Sequence, residues 1–359
     1  MSDPRLSARF ENLPAPWQWC LLLVMSAVLS GGLELVGMPA ALLIGPMVIA
    51  VLCGVYGASI RVSEPAYLAA QGVVGCLVAM AIAPQVVAGF LERWPLFLGV
   101  VLATLVASGL LGAMVGRWGA LPGTTAVWGS APGAASAMTL LSEAYGADMR
   151  LVAFMQYLRV IFVSLSAALF ARIFVDTSGV APPPIDWFPP LRLPDFPATV
   201  AIALVGAFGG RALRFPGGAL LAPILLGAGY QLSGFGTLQL PEWLLAASYA
   251  VIGWTIGLKF TRPILAHAGR ALPQIVLAIL LLIAFCAGLG VAMAPVFGVD
   301  GLTAFLATSP GGMDSVAIIA AASRSVDLSF VMTLQMARFV IVLVFGPPVA
   351  RLIAGRMKS

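Results

Sequence analysis

The chain has 359 residues, 61% of them hydrophobic and only 9% charged, with a mean hydropathy of +1.03 and a formal net charge of +5. Soluble domains carry about 25% charged residues, so the composition excludes one and points to an integral, polytopic membrane protein. The basic residues are scattered through short loops, which speaks against nucleic acid as a partner and makes them topology signals.

In chain order, residues 1–16 form a polar tail without a convincing signal-peptide cleavage pattern. Apolar runs then cover Trp17 to Val36, Ala40 to Tyr56 (with Gly45-Pro46 inside), Ala66 to Phe90 and Pro95 to Val115. A Pro-Gly stretch around Pro132 follows, and then a long hydrophobic helix from Asp148 to Phe174. Residues 176–197 hold too many prolines to be helical throughout and read as a linker between halves. The second half runs Ala198 to Leu213, Gly218 to Leu232, Trp243 to Phe260 and Pro273 to Val296, with a second Pro-Gly stretch and a last helix from Asp327 to Ile353. Backbone groups in lipid must be satisfied within the chain, and the alternating segments of a β-barrel are missing. The expected fold is an all-α bundle.

The halves repeat one another. Gly123, Thr125, Ala126, Pro132 and Gly133 recur 178 residues later as Gly301, Thr303, Ala304, Pro310 and Gly311. At an offset of 179, Asp148, Val152, Gln156 and Arg159 recur as Asp327, Val331, Gln335 and Arg338. Pro39 and Pro46 match Pro216 and Pro223, Gly75 matches Gly253, and Pro95 matches Pro273 at nearly the same offset. A nearly constant offset over the whole length marks a duplication. Its membrane repeats are residues 17–175 and 198–355.

Charge counting bears on how the repeats are oriented. If each half has five spans and its Pro-Gly stretch is a re-entrant hairpin, 13 Lys and Arg lie on the inside against 4 outside. Six spans per half would move the basic residues between Arg211 and Arg270 outside, against the positive-inside rule. Five plus five makes the repeats inverted, with the N- and C-termini cytoplasmic. Inverted repeats with broken helices at the midplane are a recurring plan of secondary transporters. A broken, full-span helix in each half is the alternative to the re-entrant form.

The chemistry-bearing residues cluster in the doubled stretch. Arg159 and Arg338 each sit about three turns into a long apolar helix, near mid-membrane, where an arginine costs at least ~2.5 kcal/mol unless paired. Gln156 and Gln335 lie on the same helical faces. Two readings stand side by side: a polar stripe lining a substrate path, or a tie in which each arginine caps the carbonyl end of a broken helix. Pro132, Gly133, Pro310, Gly311 and Gly312 break the helices that precede them. A helix starting after such a break would aim its N-terminal N–H groups at the membrane centre and attract anions; the bland alternative is a kink. Ser130, Ser136, Thr308, Ser309 and Ser315 could add hydroxyl contacts. Asp148 and Asp327 read as helix N-caps. Asp314 occurs only in the second copy, as a protonatable or cation-binding group or as a counter-ion for Arg338. Trp128 is either near the site or a packing residue, and Glu34 and Glu143 read as interfacial. The proposed substrate-binding set is thus Ser130, Pro132, Gly133, Gln156, Arg159, Ser309, Pro310, Gly311, Gly312, Asp314, Gln335 and Arg338.

The four cysteines all fall inside apolar runs, and the single histidine, His267, falls in a basic loop. No metal cluster or catalytic triad can be built from them, and no P-loop pattern occurs, so no cofactor and no enzyme activity are expected.

At Pro132 to Met138 (Pro-Gly-x-x-x-x-Met) and the doubled Gln-x-x-Arg, the sequence resembles the membrane AbrB family of Gram-negative bacteria, over roughly residues 17–355. This is not the small DNA-binding AbrB of sporulating bacteria. The second copy departs from the first, with Val316 at the Met position. The resemblance implies a fold of the cation–proton antiporter and anion transporter kind, in the bacterial inner membrane. It also brings two attached roles, regulator of gene expression and ammonia monooxygenase; no DNA-binding segment supports the first, and the missing metal ligands conflict with the second. The expected function is a secondary active transporter of a small anionic or zwitterionic organic solute, coupled to H⁺ or Na⁺. Solute, coupling ion and membrane lipid are the expected partners, and a homodimer is common for this architecture. The alternative is a membrane-embedded regulator that keeps the fold without net transport.

Overall fold

The structure is a computed structural model that describes residues 13–356 apart from 37, 39, 81, 83–90, 92, 119–120, 122, 134, 175–185, 215–216, 312–315 and 317–325. The described residues form thirteen helices and no strand. In chain order they are α1 (Ala15–Leu35), α2 (Ala41–Val55), α3 (Glu64–Met80), α4 (Trp94–Arg117), α5 (Gly123–Ser130), α6 (Ala135–Ala144) and α7 (Met149–Phe174), then α8 (Asp195–Ala212), α9 (Gly218–Leu232), α10 (Glu242–Gly257), α11 (Arg262–Phe297), α12 (Gly301–Thr308) and α13 (Leu328–Arg356). Three of them, α1, α4 and α11, are long and apolar enough to cross a membrane; α2, α3, α9 and the first half of α13 are shorter apolar helices.

Two compact units emerge, and neither is one sequence half. The first joins residues Met1–Met80 to Ile185–Gly269, and the second joins Ala81–Pro184 to Arg270–Ser359. Each repeat therefore gives its opening helices to one unit and its Pro-Gly stretch to the other.

In the first unit, α10 packs on α2 and α9 packs on α3. Small residues make these approaches close, as is usual where packing rather than hydrophobic transfer holds helices together in lipid. A Cβ added to Gly75 on α3 would lie 2.8 Å from the Pro223 side chain on α9. A Cβ added to Gly253 on α10 would lie 3.0 Å from the Leu43 carbonyl on α2. Gly75 and Gly253 are repeat mates, so the two contacts are one contact made twice, each joining a helix of one repeat to a proline-containing helix of the other. The starts of the two proline-containing helices match too: Ala40 and Gly217 both stand there in the left-handed conformation (φ 57° and 74°).

In the second unit, α4 and α13 flank α5, and α7 packs on α5, α6 and α12. Phe97, Phe297 and Phe330 close one end of it, with ring centroids 5.1–6.1 Å apart. Helix α11 begins at Arg262, earlier than the apolar run at Pro273 suggests, and takes His267 into a helix instead of a loop. Proline is tolerated near a helix start, so Pro263 opens the helix and the basic stretch continues it.

Candidate functional site

Both Pro-Gly stretches break the helix where the sequence says. Helix α5 stops at Ser130, and Ala131 and Pro132 are non-helical; α12 stops at Thr308, and Ser309 and Pro310 are non-helical. Ser309 takes φ −57° and ψ 135°, the extended form a following proline imposes. At eight residues, each helix is about 12 Å long, well short of the ~30 Å hydrocarbon core.

A proline at the break removes one specific donor. The Trp128 carbonyl would ordinarily accept from the residue four places on, which is Pro132; the Leu306 carbonyl would accept from Pro310. The glutamines replace those donors. Gln156 Nε2 donates to Trp128 O at 2.9 Å and to Ala131 O at 3.1 Å. Gln335 Nε2 donates to Leu306 O at 2.7 Å and to Ser309 O at 3.1 Å. The arginines cover the rest of the exposed helix end. Arg159 Nη1 donates to Ser130 O (3.3 Å) and Ala131 O (2.7 Å), and its Nη2 to Gly133 O (3.3 Å) and Gln156 Oε1 (2.6 Å). Arg338 Nη1 donates to Thr308 O (3.3 Å) and Ser309 O (2.6 Å), and its Nη2 to Gln335 Oε1. The threonines repeat the pattern at the other end. Thr125 Oγ1 accepts from Asp148 N (3.1 Å), and Thr303 Oγ1 from Asp327 N (3.2 Å).

The tie between arginine and broken helix is thus present in both copies. It is electrostatically sound, because the C-terminal carbonyls of a helix carry partial negative charge. It is also incomplete. Both guanidiniums are buried, at 2% and 6% exposure, and the Nε of each has no hydrogen-bond partner among the described residues. Neither arginine forms an ion pair with a described carboxylate. Both arginines belong to the second unit. The second unit therefore holds two buried positive charges compensated by carbonyl dipoles alone among its described residues. A void of about 10 Å³ adjoins Ser130 and Arg159, room for roughly one water.

Ser130, Pro132, Ser309 and Pro310 are buried beside these ties, and Gly133 and Gly311 are half-buried there. Gly312, Asp314 and Ser315 lie outside the described residues. Trp128 is a packing residue: it is 2% exposed and stacks on Tyr145 at 5.4 Å. Asp327 is an N-cap, accepting from Phe330 N at 3.0 Å. Asp148 caps α7 through Arg150 N and pairs with the Arg150 guanidinium at 2.7 Å. Burial works against the Asp148 charge, but the Arg150 hydrogen bond and charge, with backbone N–H groups, hold its carboxyl below its ordinary range. Sequence reasoning missed the roles of Thr125 and Thr303, although both stood in the repeat. It also missed Cys286, whose carbonyl accepts from Thr308 Oγ1 at 2.9 Å and so ties α12 to α11. Among the described residues no group of three His, Cys, Asp or Glu could hold a metal ion.

Comparison with known proteins gives this geometry a family. A family model described as "Transition state regulatory protein AbrB" matches residues 42–354. An Escherichia coli (strain K12) protein named "Putative regulator AbrB" is 43% identical over 338 residues, covering 94% of this chain and 97% of the relative. "Uncharacterized protein YhjN" of Bacillus subtilis (strain 168) is 28% identical over 269 residues, covering 70% of this chain and 69% of that protein. The match spans both repeats and both broken-helix motifs, and the chain belongs to the AbrB family.

Proposed function

We propose that the protein is a secondary active transporter of the inner membrane for a small anionic or zwitterionic organic solute, coupled to H⁺ or Na⁺. The observation that carries the reading is the pair of buried guanidiniums at two broken helices, without a carboxylate partner among the described residues. An anionic group entering between the breaks would supply the missing charge, and the free Nε donors could meet it. In this proposal the two repeats are inverted, the eight-residue helices enter as re-entrant hairpins from opposite faces, and both termini are cytoplasmic. The water-sized void beside Arg159 fits a closed, occluded stage, and movement of one bundle against another alternates access. Asp314, which has no mate in the first copy, takes the role of the protonatable or cation-binding group on sequence grounds alone. No chemical conversion is part of the cycle, and the assembly is a homodimer.

The test is uptake of labelled organic anions and amino acids into proteoliposomes. Arg159→Lys and Arg338→Lys keep the charge but lose the planar fork. Uptake that falls at least tenfold in both folded variants supports the reading, and uptake untouched in both would sink it.

The name of the Escherichia coli relative favours a second reading, a membrane-embedded regulator without net transport. That reading requires a partner to carry the signal. A cytosolic protein that copurifies stoichiometrically, with no flux in liposomes, would favour it.

A further inference from the structure

The first unit contains a cavity of about 930 Å³, walled by α1, α2 and α10 and separate from the broken helices. Its size lies within the ~300–1,000 Å³ range of ligand pockets. Leu23, Leu42, Pro46, Ala247 and Val251 make most of it apolar. Ser26 contributes a hydroxyl that accepts from Trp254 Nε1 at 3.0 Å. At one place the wall is ionisable: Glu34, half-buried in the last turn of α1. Among the described residues Glu34 makes no ion pair, and no Lys, Arg or His lines the cavity. One turn earlier, Ser30 also lines it, and its Oγ is buried without a partner. The carbonyl end of α1 adds partial negative charge beside Glu34. Trp187 and Trp254 also line the cavity, and indole rings are the side chains that favour cations most.

We propose that this cavity binds an amphipathic organic cation, a compact apolar body carrying an ammonium group, with Glu34 as its counter-ion. The apolar walls take the body, the carboxylate takes the head, and an anionic headgroup is repelled. Glu34, facing an apolar wall without a counter-ion among the described residues, would gain a charge-assisted pair from a cationic head. The site is distinct from the anion site proposed above and does not depend on it.

The test uses the full chain in lipid nanodiscs at neutral pH and three probes sharing one body: adamantan-1-amine, adamantan-1-ol and adamantane-1-carboxylate. Binding is followed by saturable thermal stabilisation and by tryptophan fluorescence. The amine should bind at least tenfold more tightly than the alcohol, and the carboxylate should not bind. Glu34→Gln should weaken the amine at least tenfold and leave the alcohol unchanged. Ala247→Trp, which fills the cavity, should abolish amine binding with Glu34 in place. Both variants are first matched to the parent in unliganded melting temperature, so that misfolding is not read as lost binding. Equal affinity for amine and alcohol, or an undiminished amine affinity in Glu34→Gln, overturns the proposal. So does an absence of saturable binding accompanied by a dimer that Ala247→Trp breaks, which would give the cavity to a second copy of the chain.

Discussion

At the scale of single residues, each Pro-Gly break leaves one carbonyl whose donor the proline has removed, and a glutamine from another helix supplies it. The Gln335 amide on Leu306 O stands in for the N–H that Pro310 lacks. Replacing Gln335 with Leu removes that amide donor and leaves Leu306 O with only the Ser309 hydroxyl at 3.0 Å, a loss of roughly 0.5–1.5 kcal/mol. In a Pro310→Ala background the helix can recover its own donor, so the same Gln335→Leu change should cost measurably less. A double-mutant cycle of unfolding free energies checks this, and equal costs in the two backgrounds would separate glutamine from proline. Ala40 offers a second residue-scale test. Its left-handed backbone (φ 57°) is strained for an L side chain, whereas its repeat mate is Gly217. Ala40→Gly should stabilise the protein by about 0.5–1 kcal/mol, seen as a higher melting temperature. The sequence carried the positions of Arg159, Gln156 and their mates because side chains with intramembrane charge are conspicuous. It could not carry their partners, because carbonyl groups have no letter. That is why the helix tie became visible only once the carbonyls were placed; it leaves a role in a substrate path open to both arginines.

At the scale of elements, the ends of the helices hold the account together. Helices α5 and α12 are capped at their carbonyl ends by arginine and glutamine, and α7 and α13 are capped at their starts by Asp148 and Asp327. Asp148 makes this titratable. Its folded pKa is depressed, so the stability it contributes is complete above the ordinary aspartate pKa and fades as pH falls through the folded value. Melting temperature should therefore decline more steeply below about pH 4 in the parent than in Asp148→Asn; parallel curves would show that the pair with Arg150 adds nothing. The breaks, the N-caps and the long helix after each break were legible in sequence because proline, glycine and aspartate act locally. The start of α11 was not. Apolar runs mark lipid contact rather than helix length, and α11 extends through the polar turns from Arg262 to Arg270 before its apolar part begins.

For the whole molecule, the recurring offset is visible in the sequence, and the way the two stretches combine is not. Helix α3 of the first repeat meets α9 of the second, and α10 of the second meets α2 of the first, so each compact unit takes parts of both repeats. The offset identifies mates, such as Gly75 and Gly253, but nothing in it says that each mate will pack against the other copy's proline helix. That exchange leaves both broken helices, with Arg159 and Arg338, in one unit. Two buried charges are thereby gathered where one repeat alone would hold a single one, and this gathering carries the proposed anion site.

The most direct measurement is thermal unfolding of the purified protein against a panel of small organic anions, amino acids and cations. Arg159→Lys and Arg338→Lys run beside the parent. An anion at ~100 times its dissociation constant should stabilise the parent by about 2.7 kcal/mol. The account predicts that at least one anion or zwitterion does so, that simple cations do not, and that either lysine variant loses the effect while remaining folded. Stabilisation that persists undiminished in both variants would contradict it, because the two guanidiniums would then be caps for broken helices and nothing more.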